Sequence, residues 1–120
     1  MTEQPNPRLL GPLLRLQALL DGIDHPRAAE VEEAIALAST DPEAFWRVVD
    51  GNAWWSGAGS LAAEAMGDNP GLPEPDWQRT VHDLRAVLAE IGEILLTRDT
   101  SNPGIASWVL AFRNWNASGV

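Results

Sequence analysis

Between Asp76 and about Arg98, the residues Trp77, Val81, Leu84, Leu88, Ile91 and Leu95 recur at alternating steps of four and three. A helix turns through about 100° per residue, so this spacing lines one side of a helix over nearly three heptads. A strand would need apolar residues at every second position, and no segment of the chain alternates that way with β-branched residues. The repeat therefore commits the chain to helices, and its length demands other helices to cover it.

The rest of the sequence supplies them. From Pro7 to Ile23, Leu9, Leu13, Leu16, Leu20 and Ile23 keep the same four-three rhythm, and Leu10, Leu14 and Leu19 widen the apolar face. So wide a face predicts a central helix, or one shared with a second copy through Leu9, Leu13, Leu16 and Leu20. Asp24-His25-Pro26 opens a second helix whose inner face is Val31, Ala34, Ile35 and Ala38. Thr40-Asp41-Pro42-Glu43 reads as a capping box, with the Thr40 hydroxyl accepting from the Glu43 N–H. The third helix then carries Phe45, Trp46, Val48 and Val49 up to Gly51. Asn52 to Gly59 is expected as a loop, Ser60 caps a short fourth helix to Met66, and Gly67 to Pro75 is punctuated by prolines and glycines. Ser101-Asn102-Pro103 opens a last helix on which Ile105, Trp108, Val109, Phe112 and Trp115 share a face. The predicted architecture is an all-α, single-domain bundle of five to six helices over residues 1–120. It has no sheet, the first and fifth helices form its spine, and residues 1–6 are a flexible N-terminus.

Composition narrows the chemistry. The chain has no cysteine, so disulfides, thiolate metal sites and cysteine nucleophiles are excluded. All eight basic residues are arginine, which removes the phosphate-cradling lysine of a P-loop and any Schiff-base lysine. A net charge of −9 over 120 residues opposes binding to nucleic acid and favours basic partners. No apolar run approaches the roughly 20 residues of a membrane helix, and Met1 to Pro5 lack a signal peptide's basic and apolar regions. The expectation is a soluble, cytoplasmic protein with no membrane contact.

Candidate sites are few. Glu30 with Glu33, and Glu90 with Glu93, are Glu-x-x-Glu pairs, and two such pairs on facing helices can hold Mg²⁺ or Mn²⁺. These four residues resemble the metal motif of all-α nucleotide pyrophosphohydrolases of the MazG type, whose paired motif usually includes an aspartate. That resemblance implies a Mg²⁺- or Mn²⁺-dependent enzyme as the alternative function. Helical phase puts Glu90 and Glu93 far from the seam of their own helix, which predicts solvated side chains and no metal site. His25 and His82 are the two histidines; one sits at a helix start and the other on an outer face, so neither builds a serine–histidine pair.

Gly57-Ala58-Gly59-Ser60 precedes a helix and could offer N–H groups to an anion, but a tight turn and N-cap explains it. Of the six tryptophans, Trp46, Trp77, Trp108 and Trp115 lie at helical spacing with core residues. Trp54 and Trp55 are adjacent in a glycine-rich stretch, and the expectation is that one is buried and the other partly exposed. Such a loop is a candidate binding hot spot, so Trp54, Trp55, Ser56, Gly57, Gly59 and Ser60 form the candidate protein-binding site. No catalytic residue and no cofactor is predicted.

The run from Phe45-Trp46 through Trp54-Trp55-Ser56-Gly57-Ala58-Gly59-Ser60-Leu61 resembles the signature of an uncharacterised family of small bacterial helical proteins. In that family an aromatic residue precedes Gly-Gly-x-Gly-Ser, a hydrophobic residue and Asn-Asp. Trp55, Gly57, Gly59, Ser60 and Leu61 match; Ser56 replaces a glycine and Ala62-Ala63 replace Asn-Asp. The match covers about a tenth of the chain. It implies a helical fold and carries no activity. The functional expectation is a non-enzymatic protein-interaction module for a basic partner, an immunity- or antitoxin-like protein being one concrete form.

Overall fold

In the computed structural model, residues 4–66, 75–98 and 100–118 are described. The helices are α1 (Leu10–Gly22), α2 (Ala28–Thr40), α3 (Pro42–Val49), the single turn α4 (Asn52–Trp55), α5 (Asp76–Leu95) and α6 (Ile105–Ser118). Two 3₁₀ segments, Pro7–Leu9 and Ala62–Met66, complete them, and no strand occurs among the described residues. The chain is all-helical.

The helices pack around one shared core. α1 lies against α2 on one side and α5 on the other, α3 covers α2, and α6 covers α5. The principal extents are 47 × 26 × 23 Å. The radius of gyration of 13.8 Å nonetheless matches the roughly 13.6 Å expected of a compact chain this long. α1 and α5 are the spine.

The α5 repeat behaves as its spacing demands. Val81, Leu84, Leu88, Ile91 and Leu95 are buried, and Trp77, near the helix start, is half-buried. Being clamped between α1 and α6, α5 also buries Val87, Ala89, Gly92 and Ile94, so its apolar surface exceeds one stripe. Gly92 lets α6 come close, since a Cβ there would lie 2.5 Å from Val109 Cγ2.

Leu9, in the 3₁₀ turn that leads into α1, and Leu13, Leu16 and Leu20 of α1 are at most 1% exposed. The face expected to meet a second copy is therefore consumed by α2 and α5 of the same chain. Leu10 and Leu14, at 46% and 50%, are what α1 leaves exposed.

The helix junctions follow local chemistry. α1 ends in a Schellman-type turn: Asp24 adopts φ +53° and the His25 N–H reaches the Leu20 carbonyl at 2.9 Å. The Thr40-to-Glu43 box does not form. Pro42 disfavours a helical residue before it, and Asp41, at φ −153°, leaves the helical region and becomes the cap of α3, its Oδ1 accepting from Ala44 N at 3.2 Å. Thr40 stays in α2 and donates to the Ala36 carbonyl, while Glu43 lies 3.6 Å from Arg47. The proline- and glycine-rich stretch 67–74 lies outside the described residues.

Candidate functional site

The segment from Asp50 to Ser60 begins where α3 must stop. A Cβ on Gly51 would sit 2.3 Å from the Arg47 carbonyl oxygen, so only glycine lets the chain leave α3 at this angle. The Gly51 carbonyl then accepts from both Trp54 N and Trp55 N and winds Asn52–Trp55 into the single turn α4. That turn is the part of the expected loop that is helical.

The turn aims both indoles inward. Trp54 is 1% exposed and Trp55 0%, which corrects the expectation of one buried and one partly exposed ring. Adjacent residues on a helical turn sit about 100° apart, close enough for both to face a core that wraps the corner. Trp55 Nε1 donates to the Val49 carbonyl at 2.8 Å, and Trp108 Nε1 donates to the Trp55 carbonyl at 3.0 Å. Buried indole N–H groups thus find partners. In this conformation neither indole offers a surface to a partner.

A polar junction locks the corner to the α5–α6 connection. Asp50 accepts from Arg98 Nη1 at 3.0 Å on one oxygen and from Asn102 N at 2.9 Å on the other. Asn102 Nδ2 donates to the Asp50 carbonyl and, at 2.8 Å, to Asn52 Oδ1, while its Oδ1 accepts from Gly104 N at 2.9 Å. Ser56 Oγ donates to Asn52 Oδ1 at 3.0 Å. The Arg98 guanidinium lies 3.8 Å from the centroid of the Trp46 ring. Both carboxylate oxygens of Asp50 are used in joining two remote parts of the chain, which is a structural duty.

On the other side, Arg27 clamps the loop: its guanidinium donates to the Ala53 carbonyl at 2.9 Å and to the Gly59 carbonyl. Glu64 lies 4.0 Å from Arg27 Nε and 3.3 Å from His25 Nε2, and His25 Nδ1 accepts the Arg27 N–H, capping the start of α2. What the motif leaves outside is Ser56 to Gly59, a turn in which Gly57 takes φ +82°. Ser60 is 1% exposed, and its Oγ accepts from Ala63 N at 3.2 Å, the capping role expected of it.

The glutamate pairs do not meet. Glu90 is bound to Arg15 at 2.7 Å, and Glu93 to Arg113 at 2.7 Å. Glu30 and Glu33 line a separate cleft of about 290 Å³ with Arg47, Val48, Asn52 and Trp54. No group of three or more carboxylate and imidazole side chains converges in a metal-holding arrangement among the described residues. His82 is exposed on the outside of α5, with Asp83 3.7 Å away.

Three residues that join these parts, Arg27, Asp50 and Arg98, were not legible as a unit, because their partners lie tens of positions away. Asn102 was legible as a helix opener, and its Oδ1 does cap the approach to α6; its bonds to the α3–α4 corner carry no sequence signal. Arg85, buried beneath α6, donates to the Ala65 carbonyl at 2.9 Å and lies 5.0 Å from the Trp115 ring centroid. Burial lowers its pKa from the ordinary arginine value.

Comparison with protein-family models, with curated proteins and with solved structures finds no match. No helix among the described residues is long and apolar enough to cross a membrane.

Proposed function

We propose that this chain is a non-enzymatic protein-interaction module whose partner is a basic protein; a small acidic immunity or antitoxin protein opposing a basic toxin is one concrete form. The observation that carries the reading is where the surplus charge lies. Arg15, Arg27, Arg47, Arg79, Arg98 and Arg113 each stand within 4.0 Å of a carboxylate of this chain. Glu32 and Glu33 on the exposed side of α2, and Asp21 and Asp24 just before it, have no ionic partner among the described residues. Six of the eight arginines are thus paired within the chain, and these carboxylates face outward. Such a surface steers a cationic protein into contact and rejects anionic ones.

The motif loop supports the surface from beneath. Trp54 and Trp55 anchor it, and the exposed Ser56 to Gly59 turn is its remaining contact edge. The reading is tested by affinity capture from the native host with wild type and with Glu30→Gln/Glu32→Gln/Glu33→Gln. The expected result is a basic protein retained by wild type, released by added salt, and weakened at least about tenfold in the triple variant. Capture of an acidic or neutral protein that ignores salt and the triple variant would sink it.

A further inference from the structure

We propose that the groove between α1 and α5 is the docking surface for a basic amphipathic helix of the partner. This assignment rests on the interaction-module reading and names the place where contact is made. The groove measures about 450 Å³, and Ala18 and Leu19 of α1 face Ala86 and Val87 of α5 across its floor. Alanine on both walls leaves room for a third helix axis at the close end of the usual 8–10 Å packing range. One helical turn before Ala18 on the same side of α1, Leu14 is 50% exposed and extends the apolar surface at the groove's rim. A helix of 13 residues, the length of α1, spans about 20 Å, which is three to four turns of contact for a partner helix.

Charge selects the occupant. One wall carries Asp83 and Glu90, two helical turns apart on α5. Glu90 is met across the groove by Arg15 at 2.7 Å, but Asp83 has no arginine partner among the described residues, its charged neighbour being His82. A helix seated on the alanine floor therefore places apolar side chains downward and a lysine or arginine against Asp83. A second copy of this chain is a poor occupant, because each copy brings a charge of −9. The exposed carboxylates of α2 speed the approach of a basic partner, but the cleft that Glu30 and Glu33 line is smaller, about 290 Å³; rim charge governs on-rate more than residence.

The test uses a Leu/Lys peptide of about 14 residues with an amphipathic helical pattern, and a scrambled peptide of the same composition. Backbone amide shifts of the intact protein are followed by NMR, and affinity by titration. The expected result is that the patterned peptide perturbs Leu14, Ala18, Leu19, Ala86 and Val87. The scrambled peptide binds at least about tenfold more weakly. Leu14→Ser and Ala86→Glu each weaken binding about tenfold or more, whereas Leu110→Ser, on the exposed side of α6, does not. Asp83→Asn weakens it more than Glu32→Gln, although both remove one charge. Should Ala86→Glu fail to fold, Leu14→Ser at an exposed position still decides. Shifts confined to α2 with both peptides equal would overturn the groove and leave the basic-partner reading standing. Binding of neither peptide at any surface would overturn both.

Discussion

Gly104 approaches the Trp55 carbonyl so closely that a Cβ would lie 2.3 Å from the oxygen. The obstacle is backbone held by the Trp108 indole, so it cannot rotate away. Gly104→Ala is expected to cost about 1–3 kcal/mol, the range for overpacking, read by chemical denaturation. Within the motif the two outer glycines separate. Gly57→Ala should cost about 1–2 kcal/mol because Gly57 sits at φ +82°, while Gly59→Ala, which meets nothing within 4 Å, should lie within about 0.5 kcal/mol of wild type. Equal effects would show that the turn differs from the one described. Asp50 is the residue on which the junction depends. Asp50→Ala strands the Asn102 N–H and removes a carboxylate from Arg98, both half-buried or deeper, at an expected cost of about 2–3 kcal/mol in the same measurement. None of these three demands is visible in the sequence. A glycine before a helix, or an aspartate before a glycine, has the same local appearance whether or not a remote carbonyl or amide lies against it.

At the scale of elements, α5 was the most legible because its information is local. Six apolar residues at four-three spacing state which side is buried without any knowledge of the neighbour. The second buried side of α5, around Gly92, was not legible, since a glycine at a helix crossing differs from any other helical glycine only by what lies opposite. Gly92→Ala pushes a methyl against Val109 and Ile105 side chains, which can give way, so the expected cost of about 1–2 kcal/mol is smaller than its backbone-blocked counterpart at Gly104. The α4 turn shows the opposite case. Adjacent tryptophans among glycines suggested a binding hot spot with one ring buried and the other partly exposed, yet the Gly51 carbonyl nucleates a turn that swings both rings inside. Trp55→Ala should then cost about 3–5 kcal/mol, the range for large aromatic truncation, and lower the melting temperature steeply. A fully stable Trp55→Ala protein would contradict the burial of that ring. The same burial makes alanine substitution of the two tryptophans unsuitable as a binding test, because loss of binding would follow from loss of the fold.

At the scale of the whole molecule, the packing of the helices leaves clefts between them, among them those of about 450, 400 and 290 Å³, and a group of exposed carboxylates on and near α2. With a net charge of −9 and several unpaired carboxylates together near α2, self-repulsion opposes compaction. Raising NaCl from 0.02 to about 0.5 M shortens the Debye length to a few ångströms and is expected to raise the melting temperature. A fall would mean that the exposed pairs Arg15–Glu90 and Arg113–Glu93 stabilise more than the repulsion costs. The sequence alone determined the helical class, the positions of the main helices, the spine of α1 and α5, the Ser60 cap and the absence of cysteine or lysine chemistry. Periodicity, capping and composition act over a few residues or none. The tertiary structure decided the rest. It alone buried the α1 leucines inside one chain, turned Trp54 and Trp55 inward and kept the two glutamate pairs apart. It also tied Asp50 to Arg98 and Asn102 across some fifty positions. Each of these depends on which remote group occupies the other side of a contact, and that identity is fixed only when the helices pack.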